Sequence, residues 1–179
     1  MAAASPGQLT GAPRAVNLRA DDGGTGQDHR DRRRDDAAVT SAGYSGTPLP
    51  RKLGIKEGAR VAVVAAPRGF AATLGKLPDG VQVRTQARGR LDVLVFFVTR
   101  HAELARRFPA FVRALEYDGG LWVAWPKKTS GVATDLVFER VQEVGLGCGL
   151  VDNKVAAIDD TWSGLRFVYR VADRPPRRA

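Results

Sequence analysis

A chain of 179 residues, 44% hydrophobic and 26% charged with a net charge of +9, is long enough for one compact domain with a true core. One cysteine excludes an internal disulfide, and with only two histidines beside it the chain lacks the ligands of a structural zinc site, so no metal is expected. No run approaches the roughly 18 apolar residues of a membrane helix and the N-terminus lacks a signal peptide's apolar core, so the expected location is cytoplasmic, with no membrane partner.

Residues 1–42 are small, polar and charged, with no apolar periodicity, which predicts a disordered N-terminal tail. Their six arginines and six aspartates cancel, so the positive excess belongs to residues 43–179. That excess attracts phosphate groups or nucleic acid in general terms, and it equally describes a solvated surface. The domain is expected over residues 43–171, followed by a short basic disordered end at 172–179.

Arg60–Ala66 (RVAVVAA) and Leu91–Val98 (LDVLVFFV) are short continuous apolar runs, the pattern of strands buried on both faces in a parallel sheet. Between them the weak run VQVR, Val81–Arg84, is separated from the next strand by only Thr85–Arg90, too little for a normal parallel crossover. It is therefore either a short edge strand with an extended return or a strand that pairs in another way. HAELARRFPAFVRALEYDGG then puts Leu104, Phe108, Phe111, Val112 and Leu115 on one helical stripe, with a stop at Gly119-Gly120. Leu121–Trp125 is a third buried strand. After the polar cluster Pro126–Gly131 (PKKTSG), ATDLVFERVQEVGLG repeats a helical stripe through Leu136, Val137, Arg140, Val141 and Val144, ending at Gly145 or Gly147. Leu150–Ile158 and Leu165–Val171, joined by DDTWSG, read as an antiparallel hairpin. The fold class is thus α/β: a Rossmann-like three-layer sandwich whose mostly parallel sheet closes with a C-terminal antiparallel hairpin.

That order of elements resembles the methyltransferase-like variant of the Rossmann fold. The resemblance implies a glycine-rich turn after the first strand and an acidic residue after the second, which holds a ribose. Here the turn is Ala65-Ala66-Pro67-Arg68-Gly69-Phe70, and VQVRTQ has no acid. The expectation is therefore no cofactor, with S-adenosylmethionine binding doubtful. The blocks GYSGTPLPRKLGIKEG, GLWVAWPKK and LVDNKVAAIDDTWSGLRFV also resemble an uncharacterised bacterial family, domain of unknown function 3052, over roughly residues 43–170. That resemblance implies no activity.

In a doubly wound sheet, ligands lie at the carboxyl ends of the parallel strands. Three loops are expected there, carrying Arg68 and Gly69, Arg100 and His101, and Lys127, Lys128, Thr129, Ser130 and Gly131. In the last loop Thr129, Ser130 and Gly131 are placed to cap the following helix, with the lysines supplying positive charge, an anion-binding corner; the alternative is a plain cap with solvated lysines. Asp159, Asp160 and Trp162 are accessory candidates, with turn hydrogen bonding and packing over the sheet as the alternatives. Ser130, His101 and Asp135 carry the residue types of a nucleophilic triad without its glycine-flanked serine elbow. The leading functional expectation is a non-catalytic or cryptic binding or regulatory module with an anion- or phosphate-binding edge, its partner a phosphate-bearing small molecule. The alternatives are a methyltransferase-like transferase with an altered cofactor pocket and a nucleic-acid-associated basic protein.

Overall fold

In the computed structural model the described residues run from 46 to 175; the tail expected at 1–42 and the last residues of the basic end lie outside them. The elements follow in the order α1 (Leu49–Leu53), β1 (Arg60–Val64), α2 (Phe70–Leu74), β2 (Gln82–Arg84), β3 (Leu91–Phe97), α3 (His101–Ala114), β4 (Leu115–Pro126), α4 (Phe138–Gly147), β5 (Leu150–Ala157) and β6 (Trp162–Tyr169). One six-stranded sheet has the order β2-β1-β3-β4-β6-β5. Strands β2, β1, β3 and β4 are parallel, while β6 runs antiparallel to both β4 and β5. This is a mixed α/β fold of the Rossmann-like, methyltransferase-like kind. No helix among the described residues is long and apolar enough to cross a membrane.

The apolar runs specify this layering because a strand buried on both faces needs a cover on each. Along β3, Leu94 and Phe96 point to one core with Leu104, Phe108 and Phe111 of α3 and Val141 of α4. Val93, Val95 and Phe97 point to the other, with Leu49 and Leu53 of α1 and Phe70 and Leu74 of α2. Trp122 of β4 is wholly buried in this second core, and its indole N–H donates to the Leu53 carbonyl at 3.0 Å. That bond satisfies the ring's one polar atom, so its area contributes without an unpaired donor. Full burial of a large side chain of this kind is worth roughly 1.5–3 kcal/mol.

Two boundaries differ from the sequence expectation, and the weak strand takes the first of its two expected forms. Helix α3 ends at Ala114, and the residues up to Gly119-Gly120, expected to be helical, open β4 instead. The cause is tertiary. Glu116 is drawn to Arg60, whose guanidinium donates to it at 2.9 Å and to Asp92 at 3.1 Å, stapling the starts of β1, β3 and β4. The β3–β4 register shifts between the pairs Leu91–Leu115 and Val93–Gly120 to admit the residues between. Helix α4 begins only at Phe138, because Thr134 and Asp135 are held to the end of β3: the Thr134 hydroxyl donates to the Thr99 carbonyl at 2.7 Å, as does the Asp135 N–H at 3.3 Å. Strand β2 is a three-residue edge strand parallel to β1, every residue exposed, and Thr85–Arg90 return without a helix. Six extended residues reach roughly 20 Å, enough to run back beside so short a strand.

Gly145 lies inside α4 against the Phe167 ring of β6, where a Cβ would fall within the ring's van der Waals envelope. We expect Gly145→Ala to cost about 1–3 kcal/mol by overpacking, read as a fall in the denaturant midpoint, despite alanine's better helix propensity. The staple gives a pH prediction. Burial pushes the Asp92 carboxyl up, but the hydrogen bonds from the Arg60 guanidinium and backbone N–H and the Arg60 charge outweigh it and leave the group below the ordinary carboxylate range. A depressed carboxylate contributes stability that is present above its unfolded pKa, about 4, and is lost as pH falls through the lower folded value. Asp92→Asn is therefore expected to lower stability at pH 7 and to flatten its decline below about pH 4 in a pH series of melting curves.

Candidate functional site

The three expected loops do leave the carboxyl ends of β1, β3 and β4. Residues Ala65 to Gly69 follow β1 and are largely exposed. Ala65 has φ +54°, the left-handed region that a residue with a Cβ enters at a cost of about 1–2 kcal/mol. Gly69, φ +82°, makes a second left-handed step and starts α2, a helix of five residues. Arg68 is exposed and makes no hydrogen bond or ion pair among the described residues. Backbone strain persists only where surrounding structure over-determines it, and here the buried β1 before Ala65 and the buried Phe70 after it fix both ends of the turn.

After β3, Arg100 is exposed and precedes α3, whose first residue is His101. The helix start is fastened from a distance. The Asp135 carboxylate accepts the His101 N–H at 2.7 Å, so an internal acid caps the positive end of α3. His101 is thus bonded through its main chain, and Asp135 is committed to a cap.

The third loop differs from the expected anion corner. Lys128–Ser130 form a single 3-10 turn closed by Gly131 at φ +71°, and α4 starts seven residues beyond, so Thr129, Ser130 and Gly131 do not cap it. The Ser130 hydroxyl donates to the Lys127 carbonyl at 2.7 Å and accepts from Val132 N–H at 3.3 Å, closing its own turn. Lys127 is half-buried, and its ammonium donates to the Asp159 carbonyl at 2.6 Å while its N–H donates to the Thr161 carbonyl at 2.8 Å. Lys128 and Thr129 stay exposed. A hollow of about 440 Å³ opens beside them, lined also by Trp125, Phe138 and Glu139.

The turn after β5 supplies the other half of this clasp. One Asp159 carboxylate oxygen accepts the N–H groups of Thr161 and Trp162, each at 2.8 Å, which is an Asx-type turn. Asp160 is exposed. Trp162 stands edge-on to Phe97 with centroids 5.0 Å apart, over the sheet. The fold therefore joins Lys127 to Asp159 and His101 to Asp135. It does not join Ser130, His101 and Asp135 as a triad: the Ser130 hydroxyl bonds the Lys127 carbonyl, and the Asp135 carboxylate accepts the main-chain N–H of His101 rather than its imidazole. Sequence reasoning missed the roles of Ala65 and Asp135. For Asp135 no local signal existed, its partner being 34 residues away; for Ala65 the only cue is its place at the end of a buried strand.

No protein-family profile matches the chain, so membership of the uncharacterised family suggested by its three sequence blocks is not confirmed, and no functionally curated protein matches it in sequence. Solved structures do. A possible exported protein from Bordetella parapertussis is similar at 12% identity and TM-score 0.50, over 68% of this chain and 66% of that one. Magnesium protoporphyrin IX methyltransferase from Synechocystis, with bound S-adenosylhomocysteine (SAH), is similar at 11% identity and TM-score 0.48, over 68% and 78%. Fibrillarin from Aeropyrum pernix, with natively bound S-adenosylmethionine, is similar at 14% identity and TM-score 0.46, over 67% and 73%. At these identities the likeness is one of fold. It corrects the expectation of no cofactor with S-adenosylmethionine doubtful: two of these similar folds were solved with that molecule or its demethylated product in place.

Two substitutions check the edge as described. Ala65→Gly is expected to raise stability by up to about 1 kcal/mol, because the left-handed strain is relieved against a smaller entropic loss. Asp135→Ala is expected to lower it by about 0.5–2 kcal/mol through loss of the α3 cap. Both are read from chemical denaturation at neutral pH.

Proposed function

We propose that this protein is a transferase-type domain of methyltransferase-like fold, with S-adenosylmethionine taken at the carboxyl edge of β1 and β3 through an altered pocket. The observation that carries the reading is the strained Ala65 at the end of β1. It stands where this fold class brings backbone closest to a ligand, and the turn that follows it is open to solvent up to Gly69. A strained, exposed turn between rigid elements is characteristic of a ligand site. The fit of the cofactor to this chain is partial. Ala65 and Gly69 supply the left-handed steps of a tight turn, but the residues after β2, Thr85 and Gln86, present no carboxylate for a ribose. In this reading those neutral side chains take the sugar hydroxyls, while Arg68 and Arg100 face the carboxylate of the cofactor's amino acid portion. When bound, the cofactor would supply an electrophilic methyl group.

The basic residues of this edge also support the anion-binding character expected from sequence, now centred on Arg68 and Arg100, since Lys127 is held by Asp159. Membership of the uncharacterised bacterial family rests on the three sequence blocks and adds no activity.

Calorimetry with S-adenosylmethionine and with SAH tests the reading. Saturable one-site binding is expected for the parent chain. Ala66→Trp, a bulky group at an exposed position of the turn, is expected to weaken it at least tenfold while leaving the melting temperature within about two degrees, since surface changes are typically worth ±0.5 kcal/mol. No heat with either ligand up to millimolar concentration, or equal binding by the variant, defeats the assignment.

A further inference from the structure

A second cavity lies at the opposite edge of the sheet, where the parallel strands begin. It measures about 460 Å³ and is walled by the α1–β1 connection with Lys56 and Glu57, by Arg60 and Asp92 at the strand starts, and by Asp118 and Arg166. Its charges are not equivalent. Arg60 is already spent, bonded to Asp92 and Glu116. Arg166, half-buried on β6, has no carboxylate partner among the described residues; its Nε is sealed from solvent without a hydrogen bond, while its Nη1 donates to the Asn153 side-chain oxygen at 3.4 Å.

Its position is built rather than incidental. Arg166 pairs across the strands with Trp122, and its guanidinium lies over Gly120, two residues earlier on β4. A Cβ on Gly120 would stand 2.7 Å from the Arg166 Nη2 and 2.8 Å from its Cζ, so a larger residue there would push the guanidinium out of its present place. Burying a charged donor without a partner is costly, and a buried polar atom left unpaired calls for an acceptor. Burial, and then the charge of Arg174, pull the guanidinium below its ordinary pKa, the direction expected of a cation lacking an anion. The guanidinium is a planar fork matched to a carboxylate or phosphate.

We propose that this amino-edge cavity binds a small molecule through a carboxylate or phosphate group held by Arg166, with Lys56 as the second cation and Gly120 as the floor that admits the guanidinium. The site is separate from the carboxyl-edge site proposed above, being bounded by the opposite ends of the same strands, and it does not depend on that reading. Glu57 and Asp118 also line the cavity and give it a mixed charge character.

The experiment is NMR of arginine Nε–H groups, with inorganic phosphate in one titration and citrate in another at constant ionic strength. The expected result is saturable movement of the Arg166 resonance, assigned from its loss in Arg166→Lys, by at least one anion, accompanied by a rise in melting temperature that disappears in both Arg166→Lys and Arg166→Met. The anion that acts at lower concentration identifies phosphate or carboxylate as the recognised group. Should Arg166→Met fail to fold, Lys56→Met, an exposed change on the rim, is expected to weaken the same titration at least threefold. An Arg166 resonance indifferent to both anions overturns the proposal. So does a thermal shift that persists unchanged in Arg166→Lys, which would place anion binding elsewhere on the basic surface.

Discussion

Burial of the central strands on both faces is the constraint from which the remaining structure follows. Over Val93–Phe97 of β3 and Leu121–Trp125 of β4 every side chain is buried, alternately to the two sides, so neither face of that stretch is left for solvent. Each face must be covered: α3 and α4 take one, α1 and α2 the other. Chemistry is thereby displaced to the ends of the strands, because only there does the sheet meet water and present loops. Edge strand β2, fully exposed and three residues long, and the outer strand β5, with its exposed centre, mark how far this two-sided burial extends.

The two ends of the strands are furnished differently. At the carboxyl end most polar side chains act as fasteners between loops: Lys127 to the β5–β6 turn, Asp159 to its own turn, Asp135 to the start of α3. Each pairing lowers the cost of ordering a loop and removes a charge or donor from the pool available to a ligand. What remains free is the turn after β1 and the exposed arginines near it. At the amino end the Arg60 staple uses one cation and two acids, and the arginine of β6 is left without an acidic counterpart among the described residues. A residue type alone therefore says little about availability; its partners decide.

The glycines illustrate the same point at the level of packing. Gly119-Gly120 was expected to stop a helix, and Gly145 or Gly147 to end one; the helix ends at Gly147. In the fold Gly120 makes room for a guanidinium and Gly145 for an aromatic ring. Both reasons lie in residues far along the chain, on β6. No local rule for helix termination reaches them.

The sequence by itself determined the fold class, because continuous apolar runs separated by helical stripes admit only a sheet covered on both sides, and the two β-rich runs around DDTWSG admit a closing hairpin. It also located the three carboxyl-edge loops, since these must follow the buried runs. The tertiary structure alone decided where α3 gives way to β4, where α4 begins, which lysine is free and which arginine is not. Each of those outcomes depends on a partner that is distant in sequence: Glu116 meets Arg60 after 56 residues, His101 meets Asp135 after 34 and Lys127 meets Asp159 after 32. Periodicity reports burial, which is a property of a segment; hydrogen-bond and ion-pair partners are properties of pairs, and only the folded chain brings them together.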